Sequence, residues 1–257
     1  MNRKARSSWS SRMCAFAVHF ALSLGVLLPV IALIAWAWYP EPLFTVQGVM
    51  RIFGVLVGVH LFLWPFLTFL IFKPGKKGLK FDLVVIAALQ VAALAYGTHT
   101  IHAERPRYVV FAVDRYEVLA RLDVDFRRAG LDGFGEGNER FSYVFAQMPF
   151  GEEFQRFQES VLFGGQPDLE RRPEYWRPLE GPVIGAVLAA GSPLEAYAGR
   201  GEAVLADLER RAGRLDLDPA TALVVPVVGK GGDFLGFLDP ESARLLDVAP
   251  VDPWQER

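Results

Sequence analysis

Three stretches in the first two fifths of the chain carry almost no polar residues: 13–38, 49–72 and 81–101. Each is longer than the roughly 18 residues that a bilayer core demands. In lipid such a segment satisfies its backbone hydrogen bonds only as a helix, so the pattern predicts three transmembrane helices. Trp36, Trp38 and Tyr39 close the first run in the manner of an interfacial aromatic belt. The link to the second run, through Pro40-Glu41-Pro42, predicts a tight turn.

Beyond residue 102 the apolar runs become short. Residues 107–113 alternate loosely and are rich in Val and Phe, which predicts a strand, with Asp114-Arg115 as a turn and 116–120 as a returning strand. Residues 141–148 predict a further strand. Residues 152–162 place Phe154, Phe157 and Val161 at helical spacing, and 202–212 place Val204, Leu205 and Leu208 likewise, with Gly213 as the stop. Residues 222–228 and 234–238 flank Gly229-Lys230-Gly231-Gly232-Asp233 as a hairpin would, and 245–249 predict a last short strand. The expected architecture is a three-helix transmembrane domain over 1–102, followed by an α+β domain with a mainly antiparallel sheet over 103–257.

Charge sharpens this division. Up to His102 there are 9 Lys and Arg against 2 Asp and Glu; afterwards there are 18 against 27, so a net charge of −2 conceals a basic half and an acidic half. Arg3, Lys4, Arg6 and Arg12 precede the first span, and Lys73, Lys76, Lys77 and Lys80 fill the loop between the second and third. The outer link 39–48 has none. The positive-inside rule then puts the N-terminus in the cytoplasm and the C-terminal domain on the periplasmic side of a bacterial inner membrane. The first run exceeds the 7–15 residues of a signal h-region, so it is expected to be retained as an anchor. Cys14 is the only cysteine and precedes most of that run, which excludes an internal disulfide in the exported domain.

Small residues recur at helix-packing spacing: Ala17, Ala21 and Gly25 in the first span, Gly54 and Gly58 in the second, Ala88 and Ala92 in the third. They are expected to pack the bundle, with a seam for a second copy or partner as the other reading. Gln90 is the one amide deep in a span and is expected to hydrogen-bond across the bundle. Pro65 reads as a kink. The spans lack the paired internal charges of a transporter.

The search for chemistry finds little. All four histidines, His19, His60, His99 and His102, lie in or beside the spans, so the exported domain has no imidazole for a metal or a Ser-His-Asp arrangement. Asp123/Asp125 and Asp216/Asp218 lack calcium-loop spacing. Ser192 lacks the second glycine of a nucleophile elbow. Gly133-Phe134-Gly135-Glu136-Gly137 and the 229–232 cluster are not followed by a phosphate-binding helix and read as turns. An acidic exported domain argues against nucleic acid. No cofactor is implied, and the oligomeric state is left open.

Several stretches carry a family resemblance: Trp38-Tyr39-Pro40-Glu41-Pro42-Leu43-Phe44; the loop Phe72-Lys73-Pro74-Gly75-Lys76-Lys77-Gly78-Leu79-Lys80-Phe81-Asp82-Leu83; Gln90 through Ala95-Tyr96-Gly97; and Arg105-Pro106 followed by Val109-Val110-Phe111-Ala112-Val113-Asp114-Arg115-Tyr116. Val225-Pro226-Val227-Val228-Gly229-Lys230 also fits. In order and spacing the chain resembles the type IV pilin accessory proteins. That resemblance implies a non-enzymatic role: assisting assembly or surface display of one cognate major pilin, as a membrane-anchored chaperone. It implies a client held in the membrane by one apolar N-terminal helix, with its head in the periplasm. Trp38, Tyr39, Pro40, Pro42, Lys73, Pro74, Asp82, Tyr96, Asp114 and Arg115 are the family-motif positions; contacts to the pilin helix would fall on Ala17, Ala21, Gly25, Gly54, Gly58 or Gln90. Two rival readings make different demands. A membrane-tethered sensor or scaffold needs an apolar pocket in the exported domain, and an envelope enzyme needs a carboxylate cluster in a cleft.

Overall fold

A computed structural model describes residues 3–124, 126 and 141–254, with side chains from Trp9 onward. The contacts divide the chain into two compact units, Met1–Trp38 with Val49–Ala103, and Tyr39–Gly48 with Glu104–Arg257. The sequence reading drew its boundary after His102 and left the 39–48 link with the spans; by contacts that link clusters with the second unit.

The first unit is helical. Helix α1, Arg3–Leu33, runs into a π-helical turn, Ile34–Trp38. Beyond the short helix α2, Leu43–Val46, which belongs to the second unit, come α3, Val49–Val57, a second π-helical segment, Gly58–Leu63, and α4, Trp64–Ile71. Helix α5 covers Leu79–Ala103. Three helical stretches, Trp9–Trp38, Val49–Ile71 and Leu79–Ala103, are long and apolar enough to cross a membrane. Pro65 sits in the first turn of α4, directly after the π-helical segment. A proline ring crowds the carbonyl four residues back and offers it no N–H, and the widened turn takes up that mismatch without breaking the helix. Trp9 packs edge-on to Phe69 at 5.2 Å, and the Trp38 ring lies 4.6 Å from that of His102.

The second unit is built on a mixed, mostly antiparallel sheet. Its strands are β1 Pro106–Ala112, β2 Arg115–Ala120, β3 Ser142–Ala146, β4 Trp176–Pro178, β5 Ser192–Pro193, β6 Leu223–Gly229, β7 Gly232–Leu238 and β8 Leu245–Ala249. They lie in the order β4-β3-β1-β2-β6-β7-β8, with β5 also on β6; β1/β3 and β2/β6 are parallel. Strand β1 is buried on both faces. Val109 and Phe111 join one core with Tyr116, Val225 and Val227, while Tyr108 and Val110 face the other with Phe157 of α6, Glu152–Leu162, and Trp176. A strand covered on both sides reads as a continuous apolar run, which is why its alternation is loose. Helix α8, Glu202–Arg214, covers a third cluster around Tyr197, Leu208, Val224 and Phe237.

Several details differ from the sequence reading. The β1–β2 turn is Val113-Asp114 rather than Asp114-Arg115, with Val113 at φ 60°. The β6–β7 hairpin turns on Lys230-Gly231 alone, because Gly229 pairs with Gly232. Gly213 does not stop α8. Asp216 takes the left-handed conformation (φ 58°), and the Leu217 N–H bonds back to the Ala212 carbonyl, closing the helix in Schellman fashion. Helix α7, Pro182–Ala190, was not anticipated: its residues are apolar nearly all round, so no periodicity marks it, although Pro182 occupies the favoured first position. The 39–48 link is more than a tight turn, since it forms α2 and buries Leu43 and Val46 completely. Asp125 and the Gly133–Gly137 cluster lie outside the described residues.

Candidate functional site

Four polar side chains meet among the apolar helices of the first unit. His19 and Ser23 are four residues apart and therefore share one face of α1. The His19 ring lies between Thr68 of α4, with Nδ1 2.6 Å from its Oγ1, and Gln90 of α5, with Nε2 2.6 Å from its Oε1. Gln90 Nε2 in turn donates to Ser23 Oγ at 2.8 Å. Ser23 and Thr68 are 5% and 3% exposed, so these groups have exchanged solvent for one another. The chain of bonds ties three helices of the unit to one another.

The quartet faces a groove of about 730 Å3 between α1 and α5, with the end of α4 behind it. The groove runs from Ser10 to Val26 on α1 and from Leu83 to Leu94 on α5, and its walls are otherwise mainly apolar. Cys14 lines it and is exposed. An amide, two hydroxyls and an imidazole in an apolar groove are equipped to recognise a polar group; no carboxylate lines the groove to pair with the imidazole. The sequence reading singled out Gln90, weighed His19 only as a metal or catalytic candidate, and passed over Ser23 and Thr68. The signal of all three was present as isolated polar residues inside apolar runs, two of them at helical spacing. His60 is buried separately, with Nδ1 donating to the Leu56 carbonyl of its own helix at 3.0 Å.

The small-residue faces lie elsewhere. Ala17, Ala21, Gly25 and Gly54 are exposed, and a methyl group added at Gly25, Gly54 or Gly58 would meet no atom within 4 Å. The expectation that these faces pack the bundle is therefore not met within the unit, where larger side chains such as Leu27, Leu56, Leu61 and Ile86 fill the buried positions.

Three of the family-motif positions, Tyr39, Pro40 and Pro42, lie at a different place, a junction inside the second unit. Tyr39 is buried there, and burial, reinforced by Glu104, pushes its phenol well up. Pro40 and Pro42 lead into α2, whose Leu43 and Val46 enter the core beneath β6. The Val46 carbonyl accepts from the Gly231 N–H at 2.8 Å, and Gln47 Nε2 donates to the Val118 carbonyl at 2.8 Å. Lys230 pairs with Glu104 and lies 3.5 Å from Asp123. Two resembling stretches nearly two hundred residues apart thus meet as one packing contact. Asp114 pairs with Arg115 at 2.8 Å, and the Arg115 guanidinium lies over the Trp254 ring at 4.3 Å. Lys73 and Pro74 occupy an exposed loop of the helical unit, where Lys76 holds Asp82 at 2.5 Å, and Tyr96 is exposed.

The second unit also contains a carboxylate cluster. Glu117, Asp168 and Glu170 line a pocket of about 230 Å3. Burial, followed by the neighbouring Glu170, pushes the Glu117 carboxyl up to about 7, and burial raises Glu170 as well. Arg171 stands 3.8 Å from Glu117. A second pocket, at Asp216 and Asp218, measures about 220 Å3. Both fall below the roughly 300–1,000 Å3 usual for small-molecule sites. Among the described residues no group of three or more His, Cys, Asp or Glu side chains is placed to hold a metal ion.

Comparison with known proteins gives three similar chains, all from Dichelobacter nodosus. The fimbrial assembly protein of serogroup I is 36% identical over 109 residues, a stretch covering 42% of this chain and 42% of that protein. The serogroup E1 protein is 34% identical over 109 residues with the same coverage. The protein of serogroups C1 and C2 is 34% identical over 109 residues, 42% of this chain but 83% of that protein. The chain thus spans about two fifths of the length of the first two relatives. No protein-family profile and no solved structure matches it.

Proposed function

This chain belongs to the fimbrial assembly protein family, and we propose that it is an inner-membrane accessory protein that assists assembly or surface display of one cognate type IV pilin by binding it. The observation that carries the reading is the similarity to proteins named for fimbrial assembly, which covers 83% of one of them. The apolar helices anchor the protein, with the basic N-terminus and the lysine loop in the cytoplasm and the acidic domain in the periplasm. The role is binding, without catalysis. The spans engage the apolar helix of the pilin, and the periplasmic domain engages its head. Two weak contacts on one scaffold reinforce each other through effective concentration.

Membrane co-purification with the major pilin in gentle detergent tests this, together with pilus display in a deletion strain. Co-purification and lost display are expected. Normal piliation with no pilin in the purified fraction refutes the reading. Pilin captured equally well by the spans alone overturns the division of labour between spans and domain.

The pocket at Glu117 favours a second reading, a periplasmic envelope enzyme. Its carboxylates are raised chiefly by burial, and the pocket is small. Glu117→Gln decides between the two: unchanged piliation supports the binding role, and lost piliation with an intact fold supports chemistry at the pocket.

A further inference from the structure

The polar quartet has a direction. Gln90 Oε1 only accepts, so the proton of the neutral His19 ring sits on Nε2, and Nδ1 takes the proton of the Thr68 hydroxyl. Gln90 spends one amide proton on Ser23 Oγ. The chain therefore runs Thr68 to His19 to Gln90 to Ser23, and it ends in two donors, the second Gln90 N–H and the Ser23 O–H. Neither has an acceptor among the bonds described here, and both residues line the groove. Donors left over in hydrocarbon surroundings favour an occupant that brings an acceptor oxygen.

Depth selects the kind of occupant. Ser23 stands near the midpoint of the stretch Trp9–Trp38, and Gln90 near the midpoint of Leu79–Ala103. Lipid oxygens lie at the headgroup level, and acyl chains have no acceptor at the midplane. A protein segment at that depth must be helical. The groove wall from Ser10 to Val26 is about 24 Å of helix at 1.5 Å per residue, so with Ser23 near the midplane it runs through one leaflet to the headgroup level. Ala15 and Ala87 on its two sides allow a helix backbone to approach closely.

We propose that this groove receives an apolar helix carrying one carboxyl or carboxamide oxygen level with Ser23 and Gln90, and that the quartet recognises that oxygen. The inference rests on the assembly reading, in which the helix belongs to the client pilin. Each hydrogen bond gained strengthens docking roughly three- to thirty-fold, the range found for side-chain bonds between helices in lipid.

Cys14, the chain's only cysteine, reports on the groove directly. The full chain is placed in phosphatidylethanolamine–phosphatidylglycerol vesicles with synthetic Leu/Ala helices that carry Glu, Gln or Leu at the centre. Each helix has one cysteine nine positions away, at the depth of Cys14, and disulfide yield is followed against peptide concentration. The Glu and Gln helices are expected to half-saturate at roughly three- to thirty-fold lower concentration than the Leu helix. Ser23→Ala and Gln90→Leu, each checked for unchanged helix content, should narrow or remove the difference between the Glu or Gln helix and the Leu helix. Equal yields for the three helices, or a preference that survives both substitutions, overturn the inference. If pilin co-purifies while the peptides are not discriminated, the assembly role stands and the groove assignment falls. If pilin does not co-purify, the assembly role fails whatever the peptides do.

Discussion

Gly231→Ala is expected to uncouple the 39–48 link from the domain it packs into. A methyl group at Gly231 would lie 2.5 Å from the Gly48 nitrogen, 2.7 Å from the Val46 carbonyl oxygen and 2.8 Å from Gly48 Cα. All three atoms are backbone, so no side-chain rotation relieves the clash. Gly48 is itself constrained, at φ +65° and with its own Cβ position 2.8 Å from Gly231 Cα. The link must therefore retreat. That breaks the Gly231 N–H bond to Val46, worth about 1 kcal/mol, and overpacks the site where Leu43 and Val46 are fully buried, at about 1–3 kcal/mol. The expected loss is about 2–4 kcal/mol, a large share of a domain's ordinary 5–15. Pulse proteolysis in urea, applied to the full chain in mild detergent and following the C-terminal fragment, measures it. Lys230→Ala, next in the chain but holding only solvent-exposed ion pairs, serves as the control and should cost under about 1 kcal/mol. If Gly231→Ala falls within about 0.5 kcal/mol of the parent, the close backbone crossing does not hold the link in place.

Glu117 sets a pH dependence. Its carboxyl titrates near 7 in the fold against an ordinary 4.5, so the folded state holds the proton more tightly and stability falls as pH rises from about 4.5 to 7. At 1.36 kcal/mol per unit the loss is at most about 3 kcal/mol. Glu117→Gln should flatten the fall, read as the unfolding midpoint at pH 5 and pH 8; an unchanged slope refutes the assignment. Tyr116→Phe removes the hydroxyl that donates to the Ala243 carbonyl at 2.7 Å inside the core, and should cost about 1–2 kcal/mol in chemical denaturation with the fold retained. Arg211 joins Asp207 of α8 to Asp247 and the Val248 carbonyl on edge strand β8. Arg211→Ala should cost about 1 kcal/mol and raise amide exchange along β8 more than along β6.

The helical unit was largely legible because lipid imposes a one-dimensional rule. Length and apolarity alone mark the three long helices, and Pro65 marked where the second is irregular. Elements with a clear period were legible in the second unit too: α6 begins and ends where Phe154, Phe157 and Val161 predict, and β8 where the last apolar run predicts. Helix α7 was not, since an apolar face all round carries no period. The hairpin turn was placed too widely because glycines that read as loop, Gly229 and Gly232, are paired strand residues. Gly229 is small because Val46 approaches from another part of the chain, while Gly232 takes a backbone conformation, φ +132°, that favours glycine.

The sequence by itself determined which solvent each half of the chain suits, because burial in lipid or in a core depends on composition over a short window. It also carried the family resemblance, with Leu43 and Gly229 inside the resembling stretches. Only the tertiary structure decided that the link 39–48 packs under β6, that the small-residue faces of the spans stay open, and that His19, Ser23, Thr68 and Gln90 share one groove. Those outcomes depend on pairs of residues up to nearly two hundred positions apart. A hydrogen bond such as His19 to Gln90, or a crossing such as Gly48 over Gly231, is fixed by the relative placement of whole elements, which no local pattern encodes.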